Sequence, residues 1–192
     1  MENLIVKVVQ KISEVKNKAQ SEFSKNRERY GIGFCSIDEL LPYEIAEKIY
    51  AGFVPTNPAW RLMDTFRERK LTSKKFDQFD PILKEITFAL QDQRVISLIE
   101  GITGIENQLP DPMLYAGGLS LMRQDDFLDP HIDNPHDQFQ KEYRRLNLLY
   151  YVTPDWKLEN GGNLELCPLG QKGFASYNHY QRLQSTGIDG NT

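Results

Sequence analysis

The sequence predicts an α+β domain in which helices come first and a β core follows. Two observations carry this reading. Apolar residues recur at spacings of three and four in the N-terminal part of the chain, which is the period of a helix face. After Leu109-Pro110-Asp111-Pro112 the segments become short, partly aromatic and β-branched, and punctuated by turn residues, which is strand character. The expected division is a helical support region at 1–112, a β-core at 113–168 and an atypical tail at 169–192.

The first helix is expected over residues 3–25, where Leu4, Val8, Ile12, Val15, Ala19 and Phe23 trace one face. A second begins near Ser36 or Asp38, either of which can cap it, and runs through Ile45, Ala46 and Ile49 to Gly52. Pro55 and Pro58 break the chain there. A third spans Pro81 to Gly101 with Ile82, Ile86, Leu90, Val95 and Leu98 on its buried side. Strands are expected at Leu114–Arg123, Leu146–Thr153 and Asn163–Cys167. Asn160-Gly161-Gly162 is a strong turn signal before the last of these, because glycine accepts positive φ at no steric cost.

Composition narrows the function classes. The chain has 192 residues, 40% hydrophobic and 26% charged, which is ordinary for a globular protein with one sizeable core. With 23 Lys and Arg against 27 Asp and Glu, the net charge is −4. No basic surplus exists to displace counterions from phosphates, so nucleic acid is not an expected partner. No run approaches the length of a membrane span, and the apolar start Leu4-Ile5-Val6 is interrupted by Lys7, so neither membrane association nor a signal peptide is expected. Cys35 and Cys167 are the two cysteines, too few for a disulfide framework, and a cytoplasmic location is the expectation.

The segment richest in chemistry is Phe127-Leu128-Asp129-Pro130-His131-Ile132-Asp133-Asn134-Pro135-His136. In extended chain, residues two apart point the same way. His131 and Asp133 would then present an imidazole and a carboxylate side by side, with Ile132 turned to the other face. One neutral nitrogen and one anionic oxygen suit a divalent transition metal. The triplet alone is common by chance, and a bland surface turn explains it as well. His136 reads as a solvated loop residue, Arg144 and Arg145 as a solvated edge that discourages strand pairing, and Trp156 as a hydrophobic lid.

Context adds to the triplet. Tyr150-Tyr151-Val152-Thr153-Pro154-Asp155-Trp156, followed by Gly161-Gly162-Asn163-Leu164-Glu165-Leu166, resembles the prolyl-4-hydroxylase-like branch of the iron(II)- and 2-oxoglutarate-dependent oxygenase superfamily. Gly117-Gly118-Leu119 resembles the strand leading into that family's site, and residues 36–53 resemble the helix that precedes its barrel. The resemblance implies a double-stranded β-helix core of jelly-roll or cupin-like type, incomplete here, with N-terminal supporting helices. It also implies that His131 and Asp133 are metal ligands and that Tyr151 contacts 2-oxoglutarate, although an ordinary core aromatic explains Tyr151 equally well. Implied cofactors are Fe(II) and 2-oxoglutarate as cosubstrate, with ascorbate as an optional reductant. The implied reaction hydroxylates a prolyl or other protein side chain or a small molecule, with succinate and carbon dioxide as co-products.

The tail departs from this pattern. The family places a second histidine on a late strand and an arginine or lysine about ten residues beyond it. Here the later histidine is His179, and Arg182 follows it too closely. His179 is not expected to be the third ligand, and the residue that holds the far carboxylate of 2-oxoglutarate is left open. A reading frame shifted just after Pro168 would account for the tail and would leave this chain inactive. Two other readings stay open: an inactive oxygenase-fold binding module, and a cupin-like metalloenzyme.

Overall fold

A computed structural model describes residues 1–115, 117–164 and 166. Helix α1 (Glu2–Tyr30) buries Leu4, Ile5, Val8, Ile12, Ala19 and Phe23, the stripe read from the sequence with Ile5 added and Val15 only half-buried. It runs past residue 25 and stops at Gly31, whose φ of 74° turns its N–H back to the Arg27 carbonyl. No helix among the described residues is long and apolar enough to cross a membrane.

Helix α2 (Tyr43–Ala51) begins later than expected, with Pro42 at its N-cap. The physical reason is local. The proline ring disfavours helical geometry at the residue before it, so Leu41 cannot lie inside a helix easily. Glu39, at φ 54°, already sits in the left-handed region. Ser36 and Asp38 therefore belong to the approach, not the cap.

The long helix expected over 81–101 is two helices, α3 (Pro81–Ala89) and α4 (Gln93–Thr103). Asp80 caps α3 by accepting the Ile82 N–H, with Pro81 at the first helical position, where its missing donor costs nothing. Asp92 breaks the run: its backbone is extended, and its carboxylate accepts the Arg94 N–H at 2.9 Å. Arg94 also reaches α1, donating to both carboxylate oxygens of Glu2 at 2.7 and 3.0 Å, a fork geometry that fixes the start of α1 against α4. Ile49, Leu83, Ile102, Val8 and Val95 are the largest fully buried side chains among the described residues.

Among the described residues the sheet has four strands: β1 (Arg61–Asp64), β2 (Glu68–Ser73), β3 (Leu119–Leu121) and β4 (Phe127–Leu128). All three of its pairings are antiparallel, and β2 takes part in each. Along one edge β2 pairs with β1, with Leu71 opposite Leu62. Along the other, Leu71–Ser73 face β3 while Glu68 and Arg69 face β4. The β1–β2 hairpin was not foreseen, because Arg61–Ser73 is largely charged and polar and buries only Leu71 and Ser73. A Cβ on Gly118 would come within 2.7 Å of the Ser73 carbonyl, so a glycine is needed for β3 to dock there.

The expected strands are shorter in the structure. Only 119–121 of Leu114–Arg123 is strand, because Asp111 winds the preceding residues into a turn by accepting the N–H groups of Met113 and Tyr115. Residues 146–153, and 163, 164 and 166, lie outside the sheet. Tyr150 and Val152 instead pack against the helical core. Gly161 and Gly162 take positive φ, 72° and 67°, as the glycine pair allows, but they follow a short 3-10 turn at Leu158–Asn160 and do not join two strands among the described residues. Cys167, Pro168 and the tail with His179 lie outside the described residues. The result is an α+β arrangement, helices packed together and an antiparallel sheet beside them.

Between β3 and β4 the Asp126 side chain, 2% exposed, accepts the Arg123 backbone N–H and its Nε, with Arg69 Nε 3.8 Å away. Burial pushes the Asp126 carboxyl up, but the Arg123 hydrogen bonds and both guanidinium charges outweigh it and hold it below the ordinary range. A carboxyl depressed in the folded state contributes stability above its unfolded pKa and loses that contribution as pH falls through its folded pKa. The melting-temperature gap between wild type and Asp126→Asn is therefore expected to be full above the ordinary aspartate range and to close as the pH falls below it. A gap that stays constant over this range would assign the role of Asp126 to packing instead. Leu83, wholly buried, gives a second test: Leu83→Ala should lower the unfolding free energy by about 2–5 kcal/mol in a denaturant titration.

Candidate metal centre

The sheet delivers the chain to His131. Strand β4 pairs with the start of β2, and the Asp129 N–H then donates to the carbonyl of Arg67, in the β1–β2 turn, at 2.8 Å. Two residues later the His131 Nδ1 lies 2.7 Å from the Asp129 carbonyl oxygen. A carbonyl only accepts, so Nδ1 is the nitrogen that carries the proton and donates. With Nδ1 donating there, Nε2 is the ring nitrogen turned toward Asp133, and the one that would take a metal in place of a proton.

Asp133 lies beside it. Its Oδ1 is 3.2 Å from His131 Nε2, so the two groups read as a pair from the sequence are together in the structure. Its other oxygen, Oδ2, accepts from Asn147 Nδ2 at 2.7 Å and lies 3.8 Å from Arg144 Nη1. Both side chains remain reachable, His131 at 38% and Asp133 at 40% exposure. Ile132 is exposed between them.

Asn147 and Arg144 are brought there by a tight excursion of the chain. The Arg144 N–H donates to the Pro135 carbonyl, the Asp137 N–H donates to the Glu142 carbonyl, and His136 bridges Tyr143. The Asp137 carboxylate closes the loop by accepting the backbone N–H groups of Glu142, Lys141 and Phe139. The Glu142 N–H foremost holds that carboxyl below its ordinary range, against an opposing effect of burial. The polar stretch around 137 is thus an organised turn. Arg144, with a side chain only 19% exposed and facing Asp133, is not the solvated edge that its sequence position suggested. Nor is His136 a solvated residue: its ring packs against Tyr143 with centroids 4.4 Å apart, and its Nδ1 is buried.

Tyr151 is half-buried, and burial pushes its phenol up. Tyr150, pushed up to about 12 by burial, packs with Val152 on the helical core, a cluster that does not include Tyr151. Trp156 is half-buried over Gly162, its indole N–H donating to Asn163 Oδ1 at 3.4 Å.

An imidazole nitrogen and a carboxylate oxygen 3.2 Å apart, each group with its remaining polar atom held by a neighbour, are a donor set that fits two positions of a divalent transition-metal site. Among the described residues no third His, Cys, Asp or Glu joins them. Sequence reasoning missed Asn147 and Arg144; the signal was their position just after a turn-forming Asp137, which lets the returning chain meet Asp133.

No curated protein and no solved structure matches this chain. Residues 117–186, the stretch that contains His131, Asp133, Asn147 and Tyr151 and continues past Pro168, match the model of the 2OG-Fe(II) oxygenase superfamily.

Proposed function

We propose that this chain is an iron(II)- and 2-oxoglutarate-dependent dioxygenase of the prolyl-4-hydroxylase-like branch, built on a double-stranded β-helix. Its substrate would be a prolyl or other protein side chain or a small molecule, met in the cytoplasm. The single observation that carries the reading is that the superfamily match encloses a His131–Asp133 pair already set as adjacent donors.

In this reading His131 Nε2 and Asp133 Oδ1 hold the iron, and Tyr151 contacts 2-oxoglutarate. Bound iron with 2-oxoglutarate and dioxygen supplies the oxidative decarboxylation that is coupled to hydroxylation of a C–H bond, giving succinate and carbon dioxide. The residues described here do the positioning. The Asp129 carbonyl fixes the His131 tautomer, and the Asn147 amide with the Arg144 guanidinium holds the Asp133 carboxylate. No residue of this chain is assigned as the third ligand, since His179, the later histidine within the matched stretch 117–186, is not expected to fill that place. A reading frame shifted after Pro168 is the companion proposal for a chain lacking that ligand.

The test is succinate release from 2-oxoglutarate by the full chain, with Fe(II) and with or without ascorbate. Iron-dependent succinate that disappears in His131→Ala supports the dioxygenase. Succinate formed by the repaired reading frame but not by this chain supports a truncated copy. Turnover in neither, or equal turnover in His131→Ala, overturns the oxygenase reading and leaves the binding module or a different metalloenzyme.

A further inference from the structure

Asp133 has two oxygens with different neighbours. Oδ1 faces the ring nitrogen His131 Nε2 at 3.2 Å. Oδ2 accepts the Asn147 amide at 2.7 Å, while the Arg144 guanidinium stands off at 3.8 Å, beyond hydrogen-bond distance. The hydrogen bond is directional and the longer ion contact is not, so Asn147 and not Arg144 decides which way the carboxylate plane turns.

Building on the metal site proposed above, we infer that Asn147 is a positioning residue that captures Asp133 Oδ2 and so commits Asp133 to bind its metal through Oδ1 alone. A carboxylate free to rotate can offer both oxygens, the mode that larger and more flexibly coordinated ions such as Ca²⁺ accept. An amide that occupies one lone pair of Oδ2 turns the carboxylate plane and disfavours that oxygen as a second ligand, so Oδ1 is the one presented. Asparagine suits this task because its NH₂ donates while carrying no charge that would oppose the cation. Asn147 is itself exposed and makes this bond across 14 residues of chain, so its removal should spare the core.

The experiment is Mn(II) titration of the full chain, followed by the paramagnetic resonance of the bound ion and by calorimetry, with thermal melting of each metal-free variant. Wild type should bind, and Asp133→Ala should not. Asn147→Ala should weaken Mn(II) by about 10-fold or more, broaden or shift the bound-ion spectrum, narrow the preference for Mn(II) over Ca(II), and melt as wild type does. Asn147→Ser, which keeps a donor, should recover part of the affinity, and Asn147→Asp, which replaces the donor by a charge, should not recover the spectrum. Binding and spectrum unchanged in Asn147→Ala, while Asp133→Ala is silent, would overturn the positioning role and leave the metal site standing. Wild type failing to bind Mn(II), or binding it equally after Asp133→Ala, would overturn both.

Discussion

The Asp129 N–H donates to the Arg67 carbonyl at 2.8 Å, and this bond joins the two halves of the molecule that matter for the site. On one side stands the β1–β2 hairpin, whose second strand holds β1, β3 and β4. On the other is the irregular chain that carries His131 and Asp133. Backbone hydrogen bonds of this kind hold position without any demand on side-chain identity. The bond therefore fixes where the site begins while leaving residues 129–133 free to be chosen for chemistry. The carbonyl of the same Asp129 then holds His131 Nδ1, so one residue uses its donor to anchor the chain and its acceptor to orient the imidazole.

Charge is arranged to keep this path in register. Asp126, its side chain nearly inaccessible, satisfies the backbone turn between β3 and β4 and draws Arg123 and Arg69 to it. A buried carboxylate without such partners would be costly, and with them it ties β2 to the turn that precedes β4. Asp137 repeats the device on the far side of the site, where backbone N–H groups alone compensate the charge. Asp126 and Asp137 thus fold the chain on either side of the His131–Asp133 pair.

Much of the helical region was legible. The stripe on α1 and the buried positions Ile86 and Val95 follow from spacing alone, because helix hydrogen bonds are local and a helix must turn its apolar side inward. The misreadings there were also local. Pro42 delays α2, and Asp92 splits the third helix by offering its own carboxylate to the backbone. Strands were read less well for a different reason. Leu146–Thr153 has the apolar content of a strand, yet Leu148 and Leu149 are about half exposed and the segment lies outside the sheet. Conversely β2, the strand that organises the sheet, is Glu68-Arg69-Lys70-Leu71-Thr72-Ser73 and announces little. Strand pairing depends on partners distant in sequence, which composition cannot name.

By itself the sequence determined the helix faces, the positive φ of Gly161 and Gly162, and the His-x-Asp spacing within a superfamily-like segment. Each of these is a property of a few neighbouring residues and their own backbone bonds. Only the tertiary structure decided that the charged strand β2 would sit at the centre of the sheet, that Asp129 would be moored to Arg67, and that Asn147 and Arg144 would face Asp133. Those contacts join residues separated along the chain, and their geometry exists only once the intervening turns have closed.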